Sequence, residues 1–195
     1  MLERRSYINT LEFVERSIAD GNSIGLLSGY IARFDSDSED LGGFTERIER
    51  GAFAESLATR DVVALIGHDH NVLVGRLSAG TLRLQEDDRG LRFEVDLPDT
   101  SAARDLKTLV ARGDLVGCSF GFTLDHEDAV VSKRGKQKIV TLKRVNLIEV
   151  SVGVAFPAYP ATSSMVRMIE VFDHDQDQER QRAKARLRLS EICTK

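Results

Sequence analysis

A glycine-flanked serine, two histidines around an aspartate and a glutamate inside an apolar run are the residues of this 195-residue chain best suited to chemistry. The serine is Ser119, in Gly117-Cys118-Ser119-Phe120-Gly121. On a strand, where side chains alternate between faces, Ser119 shares its face with Gly117 and Gly121, while Cys118, Phe120 and Phe122 point the other way into a core. Such glycines either let a substrate backbone approach the hydroxyl or relieve a crowded sheet crossing. The segment also fits the G-x-S-x-G pattern of α/β-hydrolases, which requires a strand, a sharp turn and then a helix. Here Phe122-Thr123-Leu124 continues like a strand, and the downstream histidines, His126 and His174, fall in a charged loop and a polar tail.

His68 and His70 each offer the general base that a serine hydroxyl needs, since an imidazole titrates near neutral pH. Spacing does not choose between them, because residues two apart share a strand face. As metal ligands they would need a further donor, and Asp69 between them would point away in an extended strand. Glu149 stands in Val145-Asn146-Leu147-Ile148-Glu149-Val150-Ser151-Val152, where a buried carboxylate must be paired or hydrogen-bonded. An imidazolium formed during acyl transfer would satisfy it, and so would an arginine such as Arg144.

The elements that must position these residues are mainly strands. Residues 7 to 14 and 23 to 34 read as an antiparallel opening pair around the polar turn Asp20-Gly21-Asn22. An acidic loop follows at 35 to 43, then a short amphipathic helix carrying Ala52, Phe53, Leu57 and Ala58 that would cover one mouth of the sheet. Residues 62 to 66 are almost all apolar, as in a strand buried on both faces, and run directly into Gly67-His68-Asp69-His70-Asn71. Leu82 and Leu84, then Leu91, Phe93, Val95 and Leu97, alternate in a meander. Thr100 and its neighbours cap a helix with Leu106, Leu109 and Val110 on one stripe, stopped at Gly113. After the serine strand at 115 to 124 and the charged segment DHEDAVVSKRGKQ, residues 138 to 155 resume the sheet, with 147 to 154 as its central strand until Pro157 and Pro160 forbid a ladder. Met165, Met168, Ile169 and Phe172 form a helical stripe ahead of a charged tail.

The fold class expected is therefore mainly β with peripheral helices (α+β), organised as a domain at 1–162 and a C-terminal helix and tail at 163–195. The balance of 27 Lys and Arg against 31 Asp and Glu gives no basic excess to draw the chain onto nucleic acid. No apolar run reaches the length of a membrane span and no signal peptide is evident, so a cytosolic protein is expected. Cys118 and Cys193 lie too far apart for a redox pair or zinc knuckle.

Taken in order along the chain, Arg4-Arg5-Ser6, Phe34-Asp35, Gly51-Ala52-Phe53, His68-Asp69, Gly75-Arg76, Asp87-Asp88-Arg89-Gly90-Leu91, Asp96-Leu97-Pro98-Asp99-Thr100, Ser119 with Gly121-Phe122, Glu149-Val150-Ser151 and Phe156-Pro157-Ala158-Tyr159-Pro160 resemble the phage prohead proteases. These are serine peptidases whose barrel is similar to that of herpesvirus assemblin, and the resemblance runs from residue 4 to about 162. Gly67, where many relatives place asparagine, and His70 depart from the family pattern.

The resemblance implies a closed or nearly closed antiparallel barrel, with His68 as base, Ser119 as nucleophile and Glu149 on the strand of the third member. Backbone amides would stabilise the oxyanion, those around Ser151 and Val152 being one candidate set. No metal, nucleotide or organic cofactor is implied. The expected substrates are scaffold and the N-terminal extension of the phage major capsid protein, and the chain itself, inside a procapsid assembling in the host cytoplasm. A homo-oligomer without nucleic-acid or membrane partners is expected. Two other readings stay open: a non-enzymatic procapsid or scaffold assembly component that retains the barrel, and an α/β-hydrolase-like esterase using Ser119.

Overall fold

Among the described residues, alternating and continuous apolar runs build twelve strands, distributed over three sheets. In the computed structural model the described residues are 2–8, 11–14, 23–38, 40–41, 43–154, 178 and 180–182. The chain divides into two units, Met1–Pro160 and Ala161–Lys195. Of the second, Gln178, Arg180, Gln181 and Arg182 are helical. The Met165 to Phe172 stripe, the stop at Pro157 and Pro160, His174 and Cys193 lie outside the described residues.

Five strands make the sheet that carries the candidate residues: β1 (Glu3–Ile8), β9 (Gly117–Thr123), β12 (Asn146–Val154), β5 (Val63–Ile66) and β6 (Asp69–Arg76), side by side in that order. A second sheet runs β2 (Glu12–Val14), β3 (Ser23–Arg33), β8 (Gly90–Pro98), β7 (Leu82–Glu86). A third runs β10 (Ala129–Arg134), β11 (Gln137–Leu142), β4 (Phe44–Ile48). The helices are α1 (Ala54–Thr59) and α2 (Ser101–Arg112). Thr100 caps α2 by accepting from the Ala103 amide, and Gly113 ends it at φ 79°, as its pattern of cap and stop residues predicts.

The mixed α+β character and the mostly antiparallel pairing agree with the sequence reading. The closed or nearly closed antiparallel barrel does not form. The described residues make three open sheets, the largest with β1 and β6 at its edges, and two ladders, β4 with β11 and β5 with β12, run parallel. The expectation came from the resemblance, from the meandering strands and from apolar residues on both faces of 147–154, and β12 is indeed buried from Leu147 through Gly153 apart from partly exposed Ile148. Burial on both faces requires cover on both sides, which neighbouring elements can supply without closure. The Phe120 ring, on the neighbouring strand, packs edge-on to Phe53 at 5.5 Å, and Leu106 of α2 and Leu115 close on Gly153.

The opening segment also departs from expectation. Residues 7 to 14 are not one strand: β1 joins the five-stranded sheet beside β9, whereas β2 pairs antiparallel with β3 in another. Besides its ladder with β9, a buried ion cluster ties β1 to β4. Arg5 donates from Nε and a terminal nitrogen to the two carboxylate oxygens of Glu46 at 2.8 and 2.7 Å, with Glu3 at 3.4 Å. All three side chains are almost fully buried, and the guanidinium also stands 5.3 Å from the Phe122 ring centroid. Desolvation pushes the Glu46 carboxyl above its ordinary range, against the lowering effect of Arg5.

Breaking one half of a buried pair strands the other charge. Glu46→Ala should therefore lower unfolding free energy by about 3 kcal/mol or more, read by urea denaturation. A loss below about 1 kcal/mol would show that Arg5 is adequately satisfied by Glu3 and main-chain carbonyls.

Candidate active site

β12 places Glu149 and Ser151 on one face of the central strand, because residues two apart in an extended chain point the same way. Across the antiparallel ladder Glu149 faces Gly121, and Ser151 faces Ser119. Across the parallel ladder Val152 faces Ile66, the last residue of β5. The Gly67 amide extends this pairing with a bond of 3.2 Å to the Val152 carbonyl. The chain then turns sharply, Gly67 and His68 both taking left-handed conformations, at φ 58° and 66°.

That turn sets which histidine meets the acid of β12. His68 is not on a strand, so the alternation that would have aligned it with His70 does not apply. Its Nδ1 lies 2.6 Å from Glu149 Oε1, the imidazole 14% and the carboxylate 1% exposed. His70 sits on the exposed part of β6. Asp69 turns to the Asn71 amide and side chain instead, at 2.9 and 3.0 Å. Arg144 engages Glu55 and Asp128, so the buried acid of β12 takes the histidine as its partner and not this arginine.

Both oxygens of Glu149 accept. Oε2 receives the Ser151 hydroxyl at 2.8 Å, and that hydroxyl oxygen in turn accepts the His68 amide at 2.9 Å. An ionised carboxylate only accepts, so a neutral ring bound to it in this way carries its proton on Nδ1 and keeps Nε2 as an acceptor. Ser151 was missed as a hydroxyl in the sequence, though its place two residues after Glu149 carried the signal. The buried trio of Arg5, Glu46 and Glu3 was missed as well, because no local pattern links residues 41 apart.

Ser119 is fully buried and donates its hydroxyl proton to the Arg5 carbonyl at 2.8 Å. β9 continues to Thr123 without the turn and helix of a nucleophile elbow, which removes the structural context an α/β-hydrolase needs at this serine. The flanking glycines answer crowding within the sheet. A Cβ on Gly117 would lie 2.6 Å from the Val154 carbonyl oxygen, and one on Gly121 2.5 Å from Glu149 Oε1. Cys118 faces the opposite side, where burial drives its thiol far above the ordinary range. Among the described residues no cluster of three or more His, Cys, Asp or Glu is arranged to hold a metal ion.

Gly121→Ala should leave a folded protein in which the carboxylate is displaced from His68, at a cost of about 1–3 kcal/mol in stability. The readout is the His68 Nδ1–H resonance, protected by the carboxylate in the parent and lost in the variant. Its retention would show that β9 and β12 can separate enough to absorb a methyl group.

A family described as "Caudovirus prohead serine protease" matches residues 11–182. The prohead protease of Enterobacteria phage HK97 is 31% identical over 149 residues, 72% of this chain. The chain spans 62% of that relative's length. Among solved structures, the capsid assembly protease of bacteriophage T4 superposes with a TM-score of 0.51 at 7% identity, over 77% of this chain and 96% of that one, a likeness of fold alone. With the family matched over most of its length, the chain belongs to the caudovirus prohead serine proteases.

Proposed function

We propose that the protein is a serine endopeptidase of phage head maturation, with Ser119 as nucleophile, His68 as general base and Glu149 orienting the imidazole. The observation that carries this reading is the Nδ1 bond of His68 to a buried carboxylate at 2.6 Å, on the sheet face that Ser119 shares through its pairing with Ser151. An imidazole held by Nδ1 offers Nε2 to a hydroxyl, which is the division of labour that acyl transfer requires. The order of histidine before serine along the chain is the one that assemblin-like enzymes use.

In this reading the Ser119 hydroxyl turns away from the Arg5 carbonyl and attacks the peptide carbonyl carbon as His68 Nε2 takes its proton. Backbone amides hold the oxyanion. His68 returns the proton to the leaving amine, then takes one from the water that attacks the acyl group and passes it to Ser119 Oγ as the ester bond breaks. The buried Glu149 carboxylate steadies the imidazolium in both halves. Scaffold and the N-terminal extension of the major capsid protein are the proposed substrates, with self-cleavage in addition. The proposed setting is the procapsid in the host cytoplasm, and the proposed working form is a homo-oligomer.

A second reading, an assembly component without activity, is favoured by one observation. Ser119 is fully buried and its hydroxyl is already engaged by β1.

Cleavage of the cognate scaffold or capsid extension, followed by mass spectrometry of the fragments, separates the two. Ser119→Ala should abolish cleavage with the fold intact, and His68→Ala should slow it by about 10²- to 10⁴-fold. His70→Ala should cleave nearly as the parent does. A folded, assembled parent that leaves both substrates whole would establish the second reading, and identical fragments from Ser119→Ala would remove that residue from its role.

A further inference from the structure

We infer that Ser151 is a positioning residue, whose hydroxyl locks His68 and Glu149 into one arrangement. The assignment rests on the proposed roles of those two residues. Three hydrogen bonds close a ring. The His68 amide donates to Ser151 Oγ at 2.9 Å, Ser151 Oγ donates to Glu149 Oε2 at 2.8 Å, and His68 Nδ1 meets Glu149 Oε1 at 2.6 Å. Each member of the ring is fixed by the other two.

The ring supplies two things that the pair alone lacks. A carboxylate bound through one oxygen can swing about its terminal torsion, whereas Glu149 is held through both. His68 occupies a left-handed conformation at φ 66°, unfavourable for any residue with a Cβ and persisting where the surroundings enforce it. The bond to its amide from a buried side chain on the adjacent strand enforces it directly. Gly67, also left-handed, brings the chain into reach.

The hydroxyl has no freedom to serve otherwise. Ser151 is fully buried, its proton goes to Glu149 and its lone pair receives the His68 amide, so it stands in support of the base and is not a second nucleophile. Side chains that orient a reacting group in this way act through geometry, and a displacement of about 1 Å can cost on the order of 10²-fold in rate.

The test uses a fluorophosphonate probe, which needs no knowledge of the natural substrate. Ser119 Oγ bonds to phosphorus, the P–F bond breaks, fluoride departs, and the hydroxyl proton passes to His68. Labelling rate and the His68 Nδ1–H resonance are measured on the full chain for the parent, Ser151→Ala and Val140→Ala. Val140 is buried in another sheet, so its truncation controls for lost stability. Ser151→Ala should label about 10²-fold more slowly and lose the protected resonance while still unfolding cooperatively, and Val140→Ala should preserve both readouts despite a lower unfolding midpoint. Parent-like labelling and an intact resonance in Ser151→Ala would overturn the assignment, as would equal losses in Val140→Ala. If Ser151→Ala fails to fold, Ser151→Cys, which keeps the volume with a weaker donor, should show a partial loss of both readouts, and an unchanged resonance there would overturn it equally. A parent that does not label at Ser119 counts against the protease reading, and the resonance then judges Ser151 independently.

Discussion

A carboxylate in the middle of a five-stranded sheet, 1% exposed, is the constraint around which this molecule is arranged. An ionised group there is tolerated only when its oxygens are occupied. Glu149 obtains an imidazole on one oxygen and a hydroxyl on the other. Each demand falls on a different element: the turn after β5 must bring a histidine back over the strand, β12 must offer a serine two residues on, and β9 must leave empty the volume that a Cβ at Gly121 would fill. The glycine of the serine motif is thus explained by the acid.

A second buried charge organises the other side of Ser119. The guanidinium of Arg5 is pinned by Glu46 of the three-stranded sheet, while its own carbonyl receives the Ser119 hydroxyl. An ion pair between sheets thereby sets the position of an atom bonded to the candidate nucleophile. The two charged clusters differ in character. Arg5 and Glu46 join sheets as a bidentate pair, whereas Glu149 and His68 leave one ring nitrogen uncommitted to the carboxylate.

Much of this was legible in the residues because it is local. The cap at Thr100 and the stop at Gly113, the alternation through Leu91 to Leu97, and the apolar density of 147 to 154 each follow from neighbours in sequence, and each element is present. What failed to show was whatever depends on how sheets meet. Apolar faces on both sides of β12 describe burial and say nothing of whether a sheet closes on itself or is covered by another, so the barrel was a misreading of a correct observation. Which histidine meets Glu149 hinges on a turn at Gly67 that period-two reasoning overlooked. Ser151 and the Arg5 cluster were hidden for opposite reasons, one being an ordinary serine in a strand and the other a contact between residues 41 apart.

β12 is the last described strand in chain order, yet it is inserted between β9 and β5. Until residues 146–154 have emerged from the ribosome, the strands that lead into His68 and carry Ser119 have no shared neighbour, and the acid does not exist. A nascent chain carries the histidine for roughly 80 residues of synthesis and the serine for roughly 30 before the acid is made, on the order of seconds at translation speeds of about 5–20 residues per second. Threading this central strand after both of its neighbours makes synthesis of residues 146–154 a timer, so that the face bearing Ser119 and Glu149 is assembled only once all five strands of that sheet have been made.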